Sequence, residues 1–156
     1  MNLFNDFLDF TTLLQRYKVD YLIVGSYAVA IHSRPRSTQD IDFWIRPTKG
    51  NAENLIKALN EFGFTEINLS ADEIIDKDQL IMFGKPPLRI DIMTSISGIG
   101  LDKAFKNKFV HDLGHINNVN FISLEDLLKN KTASNRQKGT EDLRWIKTYG
   151  KDNSKI

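Results

Sequence analysis

Apolar side chains recur every three or four positions over residues 3–17, which predicts an amphipathic first helix. Its apolar positions are Leu3, Phe4, Phe7, Leu8, Phe10, Leu14 and Tyr17. The next apolar run, Tyr21 to Val24, has the length of a short buried strand. Gly25 and Ser26 break that run and lead into a helix predicted over about 27–32.

Apolar and polar residues alternate in Asp40 to Ile45 and in Leu88 to Met93, which predicts two further strands. A polar connector at 33–39, which contains a proline, precedes the first of them. A helix is predicted within 47–63, followed by a short strand with a loop or helical turn over 64–78. A strand at 79–83 and a turn at 84–87 come next, and a helix is predicted to start at 101–105. The last predictions are a hairpin of 110–113 with 119–122 around Gly114 and the Asn117–Asn118 pair, a helix capped by Ser123, and a helix over about 140–149.

This mixture of helices and strands predicts an α+β fold, in a single domain over 1–150 with a disordered tail at 151–156. The 156 residues include no cysteine, which excludes a disulfide scaffold, a thiolate metal site and a cysteine nucleophile. The formal net charge of +1 gives no overall attraction to nucleic acid or membranes. No apolar run approaches the roughly 20 residues of a membrane span, and the first residues lack the basic head of a signal peptide. We therefore expect a soluble cytoplasmic protein without a membrane partner.

Candidate chemistry begins with two acids on one strand. Because side chains alternate between the faces of a strand, Asp40, Asp42 and Trp44 share one face of the 40–45 strand. Two carboxylates in that position repel each other unless a cation lies between them. Oxygen ligands of this kind suit Mg²⁺, which proteins commonly hold with one or two carboxylates and the phosphates of a substrate.

A third acid follows in the strand at 88–93, where Arg89, Asp91 and Met93 share a face. If this strand lies beside the 40–45 strand, Asp91 joins the other two carboxylates. In two-metal phosphoryl transfer, ions about 4 Å apart bind the attacking and leaving oxygens. Asp40 and Asp42 fit the role of bridging both ions, and Asp91 fits that of binding one ion and accepting the proton of the incoming hydroxyl.

The Gly25–Ser26 bend supplies the complementary feature, a seat for phosphate. Glycine lets a phosphate approach the backbone, and the following helix offers unpaired N–H groups and the positive end of its dipole. The pattern predicts that a polyphosphate binds at this bend.

These motifs resemble the nucleotidyltransferase superfamily with the DNA polymerase beta-type palm. The resemblance rests on Gly25–Ser26, on the run from Arg36 to Asp42 and on Arg89-Ile90-Asp91, and it extends to the segment from Ile122 to Leu128 and to Lys131 and Arg136-Gln137-Lys138. Small bacterial proteins related to abortive-infection nucleotidyltransferase toxins share the pattern most fully, and antibiotic nucleotidyltransferases share it more distantly.

The resemblance implies a nucleotidyltransferase fold, a mixed β-sheet flanked by helices, with two Mg²⁺ ions or Mn²⁺ in their place. It further implies a bound nucleoside triphosphate such as ATP, whose nucleoside monophosphate is transferred to an acceptor with release of pyrophosphate. Arg36, Lys131 and Arg136 are candidates for contacting the triphosphate; for each, an ordinary surface charge is the alternative.

Two positions depart from the family pattern. Ser26 stands where many members carry a second glycine, and its hydroxyl adds a donor for phosphate. Gly139 stands where related proteins often carry an acid, so the role of that acid cannot be transferred to this chain.

Other candidate residues favour structural roles. His32 is expected to be packed or capping, whereas His111 and His115 are expected at the surface. Trp44 could stack a nucleobase, although an aromatic residue on a sheet is usually part of the core. A calcium loop, a haloacid-dehalogenase-like phosphatase and a glycosyltransferase each require residues or a chain length that this sequence lacks.

A second hypothesis is a nucleotide-binding regulator or a toxin–antitoxin component with weak or absent transfer activity, paired with a cognate antitoxin protein. The short chain favours it, because little room remains for a domain that binds an acceptor. The acceptor stays open between transfer RNA, a protein hydroxyl and an antibiotic, since no basic and aromatic stripe typical of nucleic-acid binding is evident.

Overall fold

The structure is a computed structural model that describes residues 3–33, 40–64, 69–76, 80–85 and 88–134. These ranges contain helices α1 (Leu3–Arg16), α2 (Gly25–His32), α3 (Lys49–Phe62), α4 (Ala71–Ile74), α5 (Leu101–Lys106) and α6 (Leu124–Ser134). They also contain strands β1 (Tyr21–Val24), β2 (Asp40–Ile45), β3 (Leu80–Lys85), β4 (Leu88–Met93), β5 (Phe109–Leu113) and β6 (Ile116–Phe121).

The strands described form one mixed sheet in the order β3-β4-β2-β1-β6-β5. At its centre β2 runs antiparallel to β1 and parallel to β4, and β1 runs parallel to β6. The antiparallel pairs β3–β4 and β5–β6 form the two sides of the sheet. This arrangement confirms the predicted α+β fold with a mixed sheet flanked by helices.

Each face of the sheet is covered by its own apolar layer. The periodic stripe of α1 packs on one face, where Phe7, Phe10 and Leu14 are fully buried together with Ile41 and Phe43 of β2. A second cluster covers the opposite face near the end of β2. It joins Leu22, Val24 and Trp44 of the sheet to Ala28, Val29, Ala104, Ile122 and Leu127. The side of β2 that carries Trp44 is therefore closed by core at the end of the strand.

Several boundaries differ from the sequence prediction. Helix α2 begins at Gly25 rather than two residues later, and β3 continues to Lys85, into the segment predicted as a turn. In the β5–β6 hairpin Leu113 pairs with Ile116, so Gly114 and His115 form the turn. Gly114 has φ +59°, a left-handed conformation that glycine adopts without steric cost.

The Asn117–Asn118 part of the turn prediction is wrong, because both residues lie within β6. The predicted cap of α6 is confirmed: the backbone N–H of Asp126 donates to the Ser123 hydroxyl at 3.1 Å. The helix predicted at 140–149, the tail at 151–156 and most of the connector at 33–39 lie outside the described residues. Over the ranges described, none of the helices combines the length and the apolar character needed to cross a bilayer.

Candidate metal and nucleotide site

Three carboxylates meet where β2 and β4 run side by side. The parallel register pairs Asp42 with Asp91 and Asp40 with Arg89, so all four side chains lie on one face of the sheet. One carboxylate oxygen from each of Asp40, Asp42 and Asp91 lies within 4.8 Å of the others. Asp91 is the most buried of the three, with 6% of its surface exposed. The structure thus brings together the acids that the sequence placed on two separate strands.

The glycine bend adjoins this cluster because β1 pairs with the other side of β2. Val24, the last residue of β1, lies opposite Asp42, and Gly25 follows it with φ +67°. A Cβ atom placed on Gly25 would stand 1.9 Å from Oδ2 of Asp42. Glycine is therefore required here on two grounds, its backbone conformation and the space that the carboxylate occupies.

Helix α2 starts at this bend, with its positive end beside the acid cluster. Its N-cap residue, Val24, makes no side-chain capping hydrogen bond. The first N–H groups of the helix thus receive no cap from that residue. Ser26 is only 3% exposed, so its hydroxyl lies within the protein and little of it is open to a ligand approaching from solvent.

Arg89 neutralises part of the charge of the cluster. Its Nε donates to Oδ1 of Asp91 at 3.0 Å and its Nη2 donates to Oδ2 of Asp91 at 2.9 Å. The same Nη2 lies 3.4 Å from Oδ2 of Asp40. The hydrogen bonds with Asp91 and its negative charge raise the pKa of the Arg89 guanidinium, which stays protonated. Arg89 thus forms a fork on one acid and reaches a second.

Tyr27 brings a phenol from α2 toward the same acids. Burial raises the pKa of Tyr27 to about 12, and the negative charge of Asp40 adds to the effect. Its ring also packs edge-on against Phe7, with the ring centroids 5.5 Å apart. Tyr27 is therefore a neutral phenol at physiological pH, held near the acid cluster from the helix side.

The other predicted contacts to phosphate differ in where they fall. Arg36 and Arg136 lie outside the described residues. Lys131 is half-buried on α6, which packs against α2, the helix that begins at the bend.

The residues expected to be structural can also be placed. His32 is fully buried and its Nε2 donates to the backbone carbonyl of Ile122 at 2.7 Å, as expected of a packed histidine. His111 and His115 are exposed, as predicted. Trp44 is 1% exposed and belongs to the core cluster, so its ring has no open face for a nucleobase.

Sequence reasoning missed two residues of the site. Arg89 was placed on the same face as Asp91 but was given no role, although an arginine two residues before an acid on one strand predicts an ion pair. For Tyr27 the sequence carries no comparable signal, because its approach to Asp40 depends on how α2 packs over the sheet.

The donor set is consistent with a hard divalent cation. It consists of carboxylate oxygens alone, on two rigid strands, at mutual distances that one or two ions could span. The space that a Cβ on Gly25 would fill is taken by a carboxylate of the set. The residues present therefore fit Mg²⁺ or Mn²⁺.

Comparisons with known proteins agree with this geometry. The family model described as "Nucleotidyltransferase of unknown function (DUF6036)" matches residues 1–151. Among solved structures, the chain is similar to that described as a "putative nucleotidyltransferase (TM1012)" from Thermotoga maritima, with a TM-score of 0.60 and 18% identity over 91% of each chain. No curated protein matches the sequence. The chain belongs to the nucleotidyltransferase family of unknown function whose model spans almost its whole length.

Proposed function

We propose that this protein is a Mg²⁺-dependent nucleotidyltransferase that moves a nucleoside monophosphate from a nucleoside triphosphate such as ATP to an acceptor hydroxyl. The observation that carries the proposal is the meeting of three carboxylates within 4.8 Å, directly beside the positive-φ glycine that starts α2. A cluster of acids alone would not distinguish this protein from many others. Their combination with a glycine bend at a helix start supports a reaction that needs both a cation and a phosphate.

Asp40, Asp42 and Asp91 would hold the metal, as two Mg²⁺ ions or with Mn²⁺ in their place. Such ions neutralise charge on the phosphates and lower the pKa of a bound hydroxyl. The proposed ligands sit on paired strands rather than on loops, which favours a fixed geometry. Arg89 and the metal would share the same carboxylates, which makes the charge balance of the cluster sensitive to either one.

Gly25 and the first N–H groups of α2 would bind the triphosphate. They offer backbone N–H donors at the positive end of a helix dipole, on a bend whose glycine leaves room for the Asp42 carboxylate. Ser26 follows Gly25 at this bend and belongs to the proposal, with 3% of the residue exposed. Arg36, Lys131 and Arg136 belong to the proposal as further phosphate contacts.

In the proposed reaction an oxygen of the acceptor forms a bond to the α-phosphorus while the bond to the pyrophosphate oxygen breaks. Asp91 accepts the proton of the attacking hydroxyl, and pyrophosphate leaves with the electron pair of the broken bond. Asp91 suits this role because it lies on β4, one strand farther from the glycine bend than Asp42. The acceptor would approach from that side.

The direct test uses triphosphates labelled at either the α- or the γ-phosphate, incubated with the protein and a cell extract. We expect the α-label to appear on an acceptor and the γ-label to leave as pyrophosphate. Asp42→Ala should abolish transfer, whereas the matched Asp72→Ala, an exposed acid on α4, should not. Transfer of the γ-label, or α-transfer that survives Asp42→Ala, would reject the proposal.

A second candidate is a nucleotide-binding regulator or toxin–antitoxin component that turns over little or no substrate. The observation that favours it is the fork of Arg89 on Asp91, because this fork already occupies both carboxylate oxygens. Saturable binding of ATP without label transfer to transfer RNA, protein or antibiotic acceptors would support this candidate. Co-purification with a protein encoded beside it would identify the antitoxin.

Both candidates are proposed to act in the cytoplasm, where nucleoside triphosphates are available. A transfer RNA, a protein and an antibiotic all offer a hydroxyl, and the label experiment separates them by the size of the labelled product.

A further inference from the structure

Arg89 is a cation in direct contact with the acid cluster. Its guanidinium engages both oxygens of Asp91, at 3.0 and 2.9 Å, and approaches Asp40 at 3.4 Å. It thereby contacts two of the three acids that could hold a metal ion. A guanidinium fork fits a carboxylate in this bidentate manner and holds it in a fixed orientation.

Without a counter-ion the cluster would be costly. Three carboxylates with oxygens within 4.8 Å of one another repel strongly, and Asp91 is 94% removed from solvent that would screen its charge. Arg89 supplies one positive charge toward three negative ones. Because its own side chain is 36% exposed, it has an open path to swing away from the cluster toward solvent.

We propose that Arg89 is a resident counter-ion that a divalent cation displaces from Asp91. In the absence of metal Arg89 neutralises part of the charge of the cluster and holds Asp91 beside Asp40. When a cation binds, the like charges repel each other, and Arg89 gives up its fork on Asp91. This inference rests on the metal site of the proposed function, but not on the transfer reaction.

A cation that binds Asp91 must break the two hydrogen bonds of the Arg89 fork. A hydrogen bond to a charged group contributes about a factor of ten to an equilibrium constant, so this competition weakens metal binding on the order of tenfold. Arg89→Gln removes the fork while keeping a polar side chain. We therefore expect Arg89→Gln to bind Mn²⁺ about tenfold more tightly than the wild type, and to melt at a lower temperature than the wild type in EDTA.

A role for Arg89 in positioning Asp91 predicts the opposite change in the affinity for Mn²⁺. If Arg89 instead orients Asp91 for the metal and stays in place, its removal would weaken the binding of Mn²⁺. Arg89→Lys separates charge from geometry, because lysine keeps the charge but cannot form the fork. Displacement predicts that Arg89→Lys binds Mn²⁺ no more weakly than the wild type.

The matched control is Arg46, which also bridges two acids. It bonds Asp20 at 2.9 Å and Asp102 at 2.5 Å, at the far end of β2 from the acid cluster. Arg46→Gln should lower the melting temperature with no change in the affinity for Mn²⁺. This variant shows how far the melting temperature falls when an arginine that pairs with two aspartates is lost.

The experiment is a titration of each full-length protein with Mn²⁺, followed by the electron paramagnetic resonance of the free ion, with melting curves in EDTA and in Mn²⁺. Tighter binding in Arg89→Gln, without a change in Arg46→Gln, supports the exchange of Arg89 for the cation. Unchanged or weaker binding in Arg89→Gln, with clear binding in the wild type, overturns the exchange and leaves the metal site intact. No binding in any of the proteins overturns the metal site and the exchange together. If Arg89→Gln fails to fold in EDTA, Arg89→Lys decides the outcome: an affinity well below that of the wild type contradicts displacement.

Discussion

The carboxylate of Asp42 fills the space next to Gly25: a Cβ atom at position 25 would stand 1.9 Å from its Oδ2. The glycine also has φ +67°, where an L side chain is strained. These two facts tie the proposed phosphate seat to the proposed metal ligands, since neither residue can change its position without disturbing the other.

Replacement of Gly25 by alanine should damage both stability and the site. We expect a loss of about 1–3 kcal/mol in the free energy of unfolding, from the left-handed backbone and the displaced carboxylate. A shift of about 1 Å in Asp42 should lower nucleotidyl transfer on the order of a hundredfold. Urea denaturation and the α-label assay measure the two effects.

Gly50 provides the control for that substitution. It lies in the first turn of α3, and within the described part of the chain a Cβ atom there would meet nothing within 4 Å. Gly50→Ala should therefore raise the free energy of unfolding by up to about 1 kcal/mol and leave transfer unchanged. Equal effects of the two alanines on transfer would show that the Gly25–Asp42 contact has no role in the site.

Binding of Mg²⁺ should stabilise the folded protein through the acid cluster. At a free concentration about 100 times its Kd, a ligand that binds only the folded state adds roughly 2.7 kcal/mol to the free energy of unfolding. Asp42→Asn should abolish this gain, whereas Asp72→Asn, on the exposed side of α4, should keep it. Urea denaturation with and without Mg²⁺ gives the answer, and a full gain in Asp42→Asn would contradict the assignment of ligands.

Trp44 should behave as a core residue and not as a stacking platform for a nucleobase. It is 1% exposed, and its Nε1 has no hydrogen-bond partner among the residues that the structure describes. Trp44→Phe loses ring volume but also removes this unsatisfied N–H, so we expect a destabilisation of only about 1 kcal/mol. The affinity for ATP, measured by calorimetry, should stay the same. A tenfold loss of affinity in the folded variant would restore the stacking role.

Tyr27 should make stability depend on pH in the alkaline range. Its pKa is raised from 10.0 to about 12, so its contribution to stability is fully present below pH 10. Between pH 10 and about 12 the unfolded chain loses the phenolic proton before the folded protein does, and stability falls as pH rises. In EDTA, Tyr27→Phe should lose about 1–2 kcal/mol less than the wild type across this range. Parallel falls in both proteins would show that Tyr27 ionises normally.

The sequence predicted the parts of the site that depend on local alternation. The β4 prediction matches at both ends, and Asp40, Asp42 and Asp91 all fall on the predicted face. What local pattern could not supply was the pairing of β2 with β4, because partners such as Asp40 and Arg89 lie 49 positions apart in the chain and meet only in the folded sheet. From the sequence alone, Asp91 could therefore be placed in the cluster only on the condition that these two strands pair.

The errors also have physical causes. Two-residue hairpin turns need left-handed backbone, which both Gly114 and Asn118 adopt here, so sequence alone could not tell which one closes the hairpin. The early start of α2 reflects a glycine that serves the bend and the helix at once. The approach of Tyr27 to Asp40 is a tertiary contact, which no periodicity reports. The ion pair of Arg89 with Asp91 joins two neighbours on one strand face, so the alternation did place these residues together.

Diffraction from a crystal soaked in Mn²⁺ tests the metal site most directly, because anomalous scattering locates the ion without reference to activity. We predict a peak within about 2.3 Å of carboxylate oxygens from Asp40, Asp42 and Asp91, with Arg89 moved off Asp91. Manganese bound only elsewhere, or none in the crystal while Arg89 keeps its fork on Asp91, would contradict a metal-dependent site in this protein.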